Sequence, residues 1–404
     1  MSTIVLLGTG QRREFAFKTI FRRNERLILV DKPSNQRYFA MADIPVVVYD
    51  PTDETVIIQL LRSLNIQIDG VVTWTEHLVP TAAKVGHALG VPSVSIEAAE
   101  HTRNKFLMRQ VFSQHSFLVP QFTSVSTLEQ AYYAAENIGY PVVLKPIDFG
   151  GSVGVVRVDK ASQLNRAFAH TSSRTHAATI LMEEYLDGPE FYVNAAIYDG
   201  RILTGFVSDR IPNRPGQFFV EEGHEVVSFL PQSKQLELIR LAEKGATCLG
   251  IQQGLIHAEI KWIEKGPVII EIAARAGGGL LPESIYLAYG INLYDIGLSL
   301  ALGQNPEFAL QQTPVGCSVR YLAAEGGQVT NITGIQEVVQ STEGLVDLSI
   351  YVSRGSIVKQ PQSNAALVGH LVVIADTKEQ AQNRANQAAN MIIIDTAPYL
   401  SPSL

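Results

Sequence analysis

The chain has 404 residues, of which 46% are apolar and 18% charged, and a formal net charge of −7. That length asks for two or three hydrophobic cores, and the acidic balance argues against a nucleic-acid binder, which would carry a basic patch. No apolar run is long enough to span a membrane.

The start, MSTIVLLGTGQRREF, reads as a first β-strand and not as a signal peptide. Two cysteines, Cys248 and Cys317, in a chain this long are expected to be reduced thiols of a cytoplasmic protein. Residues 1 to about 98 alternate apolar strands with helical segments. Strands are predicted at Thr3–Leu7, Leu27–Val30, Val46–Tyr49 and Gly70–Trp74, with a helix at Asp53–Leu64. Such alternation predicts an open parallel α/β sheet. Gly8 and Gly10 follow the first strand, but Arg13 stands where a dinucleotide fingerprint needs its third glycine. A tight turn or a substrate-facing loop both satisfy that pattern.

One helix is predicted from Ala98 to Gln114 and another around Thr127–Ile138. From Pro141 to Val158 the pattern is strand, Gly-rich loop, strand. From Thr179 to Ile202 it is strand, connector, strand, an Asp199-Gly200 turn and a further strand. A helix follows at Lys234–Leu249, then a hairpin, then a helix over Glu283–Leu302 that breaks near Gly290. Beyond a polar linker at Gln311–Pro314, strands are predicted at Ser318–Ala323, Leu345–Val352, Val368–Ala375 and Met391–Asp395, with a helix at Lys378–Ala389. This last part reads as a smaller α+β unit.

Four segments carry chemistry. In YPVVLKPIDFGGSVGVVRV, Lys145 ends a strand, and Gly150, Gly151, Ser152 and Gly154 form a loop whose backbone can approach a ligand. Either it closes over phosphates or it is a plain surface hairpin. It is not a Walker loop, because no Gly-Lys-Ser/Thr closes it and a strand follows. In LMEEYLDGPEFYV, Glu183, Tyr185 and Leu186 form a connector able to offer backbone groups to an adenine edge. Glu190 then starts a strand with a carboxylate for ribose hydroxyls; an acidic solvated turn is the alternative.

In SDRIPNRPGQFFVEEGHEVVSFLP an irregular loop is expected. Arg210 there is a candidate anchor for a substrate carboxylate, and His224 a candidate contact for an amine or carboxylate. Glu76 ends a first-domain strand, where ligands of open α/β sheets gather. In IHAEIKWIEKGPVIIEIAARAGGG, Glu259 and Glu271 lie across a Lys-Gly-Pro turn at an even separation, which can put both on one face of a hairpin. Like charges in that position repel unless a divalent cation lies between them. Arg275 follows, and Gly277, Gly278 and Gly279 either line a roomy acyl pocket or make a turn.

The order Lys105, Lys145 with GGSVG, MEEYLDGPEF, then Glu259, Glu271 and Arg275 resembles the ATP-grasp superfamily over roughly residues 70–310. The run GSIVKQPQSNAALVGHLVVIADTKEQA is similar to the closing domain of carboxylase-like and L-amino-acid-ligase-like members. The resemblance implies an N-terminal α/β domain over 1–98 and an ATP-grasp domain over 99–313, with a small lobe at about 110–187 and a large lobe at about 188–313. A C-terminal α+β domain would take 314–404.

It further implies ATP and magnesium, with manganese as the alternative ion. Lys105 and Lys145 would bind the phosphates, Glu183, Tyr185 and Leu186 the adenine, and Glu190 the ribose. Glu259 and Glu271 would bind the metal, and Arg275 would stabilise the acyl phosphate and tetrahedral intermediate. Ala273 stands where many members have a metal-binding Asn; the amino-acid-ligase branch resembles this sequence in having Ala at that position. The implied activity is ADP-forming ligation of a small-molecule carboxylate to an amine, with amino acids as the expected substrates, by a cytoplasmic protein compatible with a homodimer. A ligase acting on formate, bicarbonate or a nucleotide precursor, and an ATP-binding regulatory protein without catalysis, are the alternatives.

Overall fold

The computed structural model describes residues 1–10, 14–211, 216–309 and 313–399. Its first sheet is parallel, with strand order Ile44–Val47, Arg26–Asp31, Thr3–Leu7 and Gly70–Val72. Every residue of Thr3–Leu7 is buried, as in a sheet covered on both faces. Alternation sorts its side chains. Ile4 and Leu6 share a core with Phe17 and Ile20 of the helix Glu14–Arg23. Val5 and Leu7 pack with Ile57 and Leu61 of Glu54–Ser63 and with Val85 of Val79–Leu89. The first of these cores runs on through Trp74 to Tyr294 and Leu298, so the N-terminal sheet sits directly on the central part of the molecule.

The helix predicted from Ala98 to Gln114 is two helices, Ile96–Arg103 and Lys105–Gln114. Asn104 separates them. Its side chain accepts from the N–H groups of Phe106 and Leu107 and caps the second helix. The cap fixes Lys105 at the first helical position. A four-stranded antiparallel sheet follows, in the order Phe122–Val125, Ile180–Glu184, Val142–Pro146 and Val156–Val158. Helices Leu128–Ile138 and Ala161–Ser172 pack on it around Ala131, Ala135 and Leu164. The glycine-rich loop joins the last two strands of this small lobe.

The largest sheet has eight strands. Its order is Gly266–Ala273, Gly254–Ile263, Glu190–Tyr198, Arg201–Arg210, Gly223–Val226, Gly316–Leu322, Gly369–Ala375 and Leu345–Ile350. The strand Gly223–Val226 falls inside the stretch expected to be an irregular loop. Its partners are Arg201–Arg210 on one side and Gly316–Leu322 on the other. The C-terminal strands therefore continue the central sheet across residue 313, and do not form a sheet apart from it. The expected linker residues Gln311 and Gln312 lie outside the described residues. The C-terminal part adds a three-stranded sheet of Ile357–Val358, Gly327–Thr333 and Ile393–Ala397. Neither the strand Gly327–Thr333 nor the helix Ile335–Ser341 is legible in the apolar pattern. The strand buries only Gly327 and Val329, and the helix only Val338.

Among the described residues no helix is long and apolar enough to cross a membrane. The long helical stretch after residue 280 breaks as its glycine suggests, into Leu281–Tyr289 and Leu293–Ala301. Gly290 takes a left-handed φ of 72° between them.

Candidate functional site

The two sheets and the C-terminal part enclose a cavity of about 560 Å³, within the range for nucleotide-sized ligands. The hairpin Gly254–Ile263/Gly266–Ala273 forms its floor. Glu259 and Glu271 are direct cross-strand partners there, although the turn is at Glu264-Lys265, before the glycine expected within it. The register shifts between Glu259 and Ile260, so Ile270 is an extra residue in its strand. Such a bulge re-aims neighbouring side chains.

A lysine faces one carboxylate and a histidine the other. Lys105 Nζ lies 2.9 Å from Glu271 Oε2 and donates to the Phe149 carbonyl at 2.8 Å. His257 Nε2 lies 3.7 Å from Glu259 Oε1. Burial pushes the Glu259 carboxyl up, but His257, Arg210 and Lys105 outweigh it and bring it down to about 2. Two carboxylates in direct register suit a hard divalent cation, and magnesium characteristically takes one or two carboxylates plus substrate phosphates. Among the described residues no third His, Cys, Asp or Glu completes an all-protein cage. The donor set therefore fits a metal that arrives with phosphate oxygens. Ala273 is buried opposite His257 and supplies no ligand.

The opposite wall belongs to the small lobe. Lys145 Nζ lies 2.5 Å from Glu183 Oε2, and Arg109 donates to the same carboxylate through Nε. Glu183 is buried, and its backbone sits in the ladder between Phe122 and Val143. Burial raises its carboxyl, yet Arg109 and Lys145 outweigh that and hold it at about 2. Its side chain is thus a buried counter-ion, and Glu183, Glu184, Tyr185 and Leu186 all line the cavity. Lys261 donates to the carbonyls of Leu186 and Gly188 at 3.1 and 3.3 Å and fixes that connector. The Arg157 guanidinium lies 4.0 Å from the Tyr185 ring centre.

Gly150, Gly151 and Ser152 line the cavity. Gly154 does not: a Cβ there would lie 2.8 Å from both Pro146 and Arg174, so it is a packing glycine. Glu190 and Arg210 pair at 3.3 Å on the cavity wall. Burial raises the Glu190 carboxyl and Glu259 adds to that, against the pull of Arg210. Arg210 belongs to a strand, where an irregular loop was expected, and its register partner is His224. His224 is fully buried, 3.4 Å from Glu221 Oε1. It is not among the residues lining the cavity, where a substrate contact was expected of it, and pairs instead with Glu221, which is. Residues 212–215 of the same stretch lie outside the described residues, as does Arg13.

Arg275 and Arg103 both pair with Glu76. Burial raises the Glu76 carboxyl, but the two arginines and Lys105 bring it down to about 2. Glu76 is the ion-pair partner of Arg275, as well as a wall of the cavity. Gly278 and Gly279 line the cavity. Gly277 does not, because a Cβ there would meet Asn194 Oδ1 at 2.4 Å and His257 Nδ1 at 3.1 Å. Gly10 reaches the cavity wall, which favours the substrate-facing reading of its turn.

Sequence reasoning missed several groups. Arg109 is buried and donates to Glu183 and, at 2.7 Å, to the Ile270 carbonyl of the bulge. It follows Lys105 by four residues on a helix, so the two share a face. His257 precedes Glu259 by two residues on a strand and so shares its face. Glu221 and Asn364, from distant segments, carry no local signal; the fold alone brings them together.

Residues 138–283 match the ATP-grasp domain, and residues 320–397 match the L-amino acid ligase C-terminal domain 2. The chain is 23% identical over 366 residues to the L-arginine-specific L-amino acid ligase of Bacillus subtilis, covering 86% of this chain and 85% of that protein. It is 26% identical to carnosine synthase 1 of Gallus gallus, covering 91% of this chain and 42% of that protein. The crystal structure of the L-amino acid ligase from Bacillus licheniformis superposes with a TM-score of 0.84 at 23% identity, covering 98% of this chain and 99% of that one.

Proposed function

We propose that this chain, whose residues 138–283 match the ATP-grasp domain and whose residues 320–397 match the L-amino acid ligase C-terminal domain 2, is an ADP-forming carboxylate–amine ligase joining amino acids. One observation carries this reading most directly. Two acids in direct register, Glu259 and Glu271, share a cavity with Lys105, Lys145 and a glycine-rich loop. Like charges in direct register repel; here Lys105 offsets one of them, and phosphate chemistry is what this combination of charges serves.

ATP supplies the phosphoryl group that turns a carboxylate into an acyl phosphate, because oxide is too poor a leaving group for direct amide formation. Magnesium, or manganese in its place, would be held by Glu259 and Glu271 and would neutralise phosphate charge. Lys145 and Lys105 bring ammonium groups to the phosphate region from two sides. The amides of Gly150, Gly151 and Ser152 cover it. Tyr185 and Leu186 take the adenine, and Glu190, oriented by Arg210, takes the ribose. Arg275, held by Glu76, stabilises the oxyanion that forms when the amine attacks the acyl carbon. Glu221 presents a carboxylate to the cavity, suited to a substrate ammonium group. Gly278 leaves room in the cavity, since nothing lies within 4 Å of a Cβ placed there.

The working parts are assigned as an N-terminal domain over 1–98, an ATP-grasp domain over 99–313 and a C-terminal domain over 314–404. A homodimer, checked by light scattering, and a cytoplasmic location complete the reading. ADP release is measured with pairs of amino acids, with formate and with bicarbonate. Release that rises with an amino acid pair and is matched by a dipeptide-mass product supports the proposal. Release driven by formate or bicarbonate alone, or nucleotide binding without turnover, overturns it.

A further inference from the structure

Asn364 opens a single 3₁₀ turn, Asn364–Ala366, that the C-terminal part brings to the rim of the cavity. Its backbone N–H donates to the Gly151 carbonyl at 3.2 Å. Its side-chain Oδ1 accepts from the Glu221 N–H at 2.8 Å, and its Nδ2 donates to Glu221 Oε2 at 3.4 Å. The other Glu221 oxygen faces His224 Nδ1 at 3.4 Å. One residue of the C-terminal part thus holds a cavity carboxylate with its side chain and the tip of the glycine-rich loop with its backbone.

The tip needs such a partner. Gly151 has a φ of 65°, and no atom lies within 4 Å of a Cβ placed there. Packing therefore contributes little to holding it, whereas the base of the loop is held by Lys105 at the Phe149 carbonyl. A backbone donor can hold the tip only if its own turn is fixed. The bond from the Glu221 N–H holds the turn in place, and the bond from Nδ2 to Glu221 Oε2 adds to it when the Glu221 carboxylate occupies its cavity-facing pose.

We propose that Asn364 is a positioning residue that ties closure of the glycine-rich loop to the pose of Glu221 and thereby keeps water from the activated carboxylate. This rests on the ligase reading above. With the loop released, water attacks the acyl carbon in place of the amine. The carbon–oxygen bond to phosphate then breaks, the free carboxylate and phosphate form, a proton is released, and ATP is consumed with no amide made.

The test uses the full-length protein. In Asn364→Ala, hydrogen exchange of the peptide covering residues 149–154 is expected to rise several-fold, and ADP formed per amide to rise at least two-fold over wild type. Loss of fold alone would lower kcat without moving that ratio. An unchanged ratio overturns the proposal, whether or not the loop exchanges faster.

Asn364→Asp sets a carboxylate against Glu221 and is expected to loosen the loop similarly. Adding Glu221→Gln restores a donor–acceptor pair and is expected to restore loop protection. If Asn364→Ala does not fold, this pair decides by exchange alone, and no recovery in the double variant overturns the proposal. If the wild type makes no amide from any amino acid pair, the ligase reading has failed; the exchange measurements still decide whether Asn364 holds the loop.

Discussion

Glu271 is the residue on which the site's electrostatics turn. It faces Glu259 across the hairpin and Lys105 at 2.9 Å. Glu271→Gln keeps the shape and removes a charge. It is expected to abolish turnover while leaving the circular dichroism spectrum and melting temperature near wild type. Near-normal turnover would remove the metal-binding role. Glu183 gives a second prediction, one of stability. Its carboxyl stands at about 2 against an ordinary 4.5, chiefly because Arg109 and Lys145 outweigh its burial. A carboxyl lowered by folding stabilises the native state above its unfolded value, and that stabilisation is lost as pH falls toward the folded value. The melting temperature is therefore expected to drop between about pH 5 and about pH 2, and to drop less steeply over that window in Glu183→Gln. Equal slopes in the two proteins would show that the Glu183 carboxyl does not titrate as proposed.

At this scale the sequence was informative where chemistry follows local order. The even spacing of Glu259 and Glu271 anticipated their register, although the bulge at Ile270 was needed to complete it. Roles that depend on partners far along the chain were not legible. Glu183 reads as a hinge acid until Arg109, 74 residues away, claims its carboxylate. His224 reads as exposed loop chemistry until its strand pairs on both sides and buries it.

Among the elements, the four-residue strand Gly223–Val226 is inconspicuous in the sequence yet bridges two parts of the central sheet. It links the central strands to the C-terminal ones. Turn-like residues around it, and only four residues of strand, hide it from any periodicity of apolar positions. Gly223 explains why it can pair so closely: at a φ of 144°, a Cβ would lie 2.0 Å from the Val319 carbonyl oxygen. Gly223→Ala is expected to destabilise the protein by at least about 2 kcal/mol. Denaturant titration checks this, and a loss within error of zero would mean that the two halves of the sheet do not depend on that approach. The parallel strands and their helices were legible for the opposite reason, since continuous apolar runs mark strands buried on both faces.

For the molecule as a whole, apolar packing and hydrogen bonding cross the boundaries that sequence texture suggests. One core joins the first sheet to Tyr294 and Leu298, and the eight-stranded sheet passes from the central part into the C-terminal part. That continuity lets residues as distant as Glu76, Lys145, Glu259 and Asn364 wall a single cavity. Composition could indicate several cores but not how they fuse.

The central claim is that a carboxylate is activated by phosphorylation inside this cavity. It is tested most directly by supplying the acyl substrate with a heavy-oxygen label in its carboxylate and reading the released phosphate by mass spectrometry. Attack of the carboxylate on the γ-phosphorus, followed by attack of the amine on the acyl carbon, leaves a substrate oxygen on phosphate. Label in the phosphate, appearing in step with amide product, is the predicted result. Amide formed together with unlabelled phosphate would contradict it.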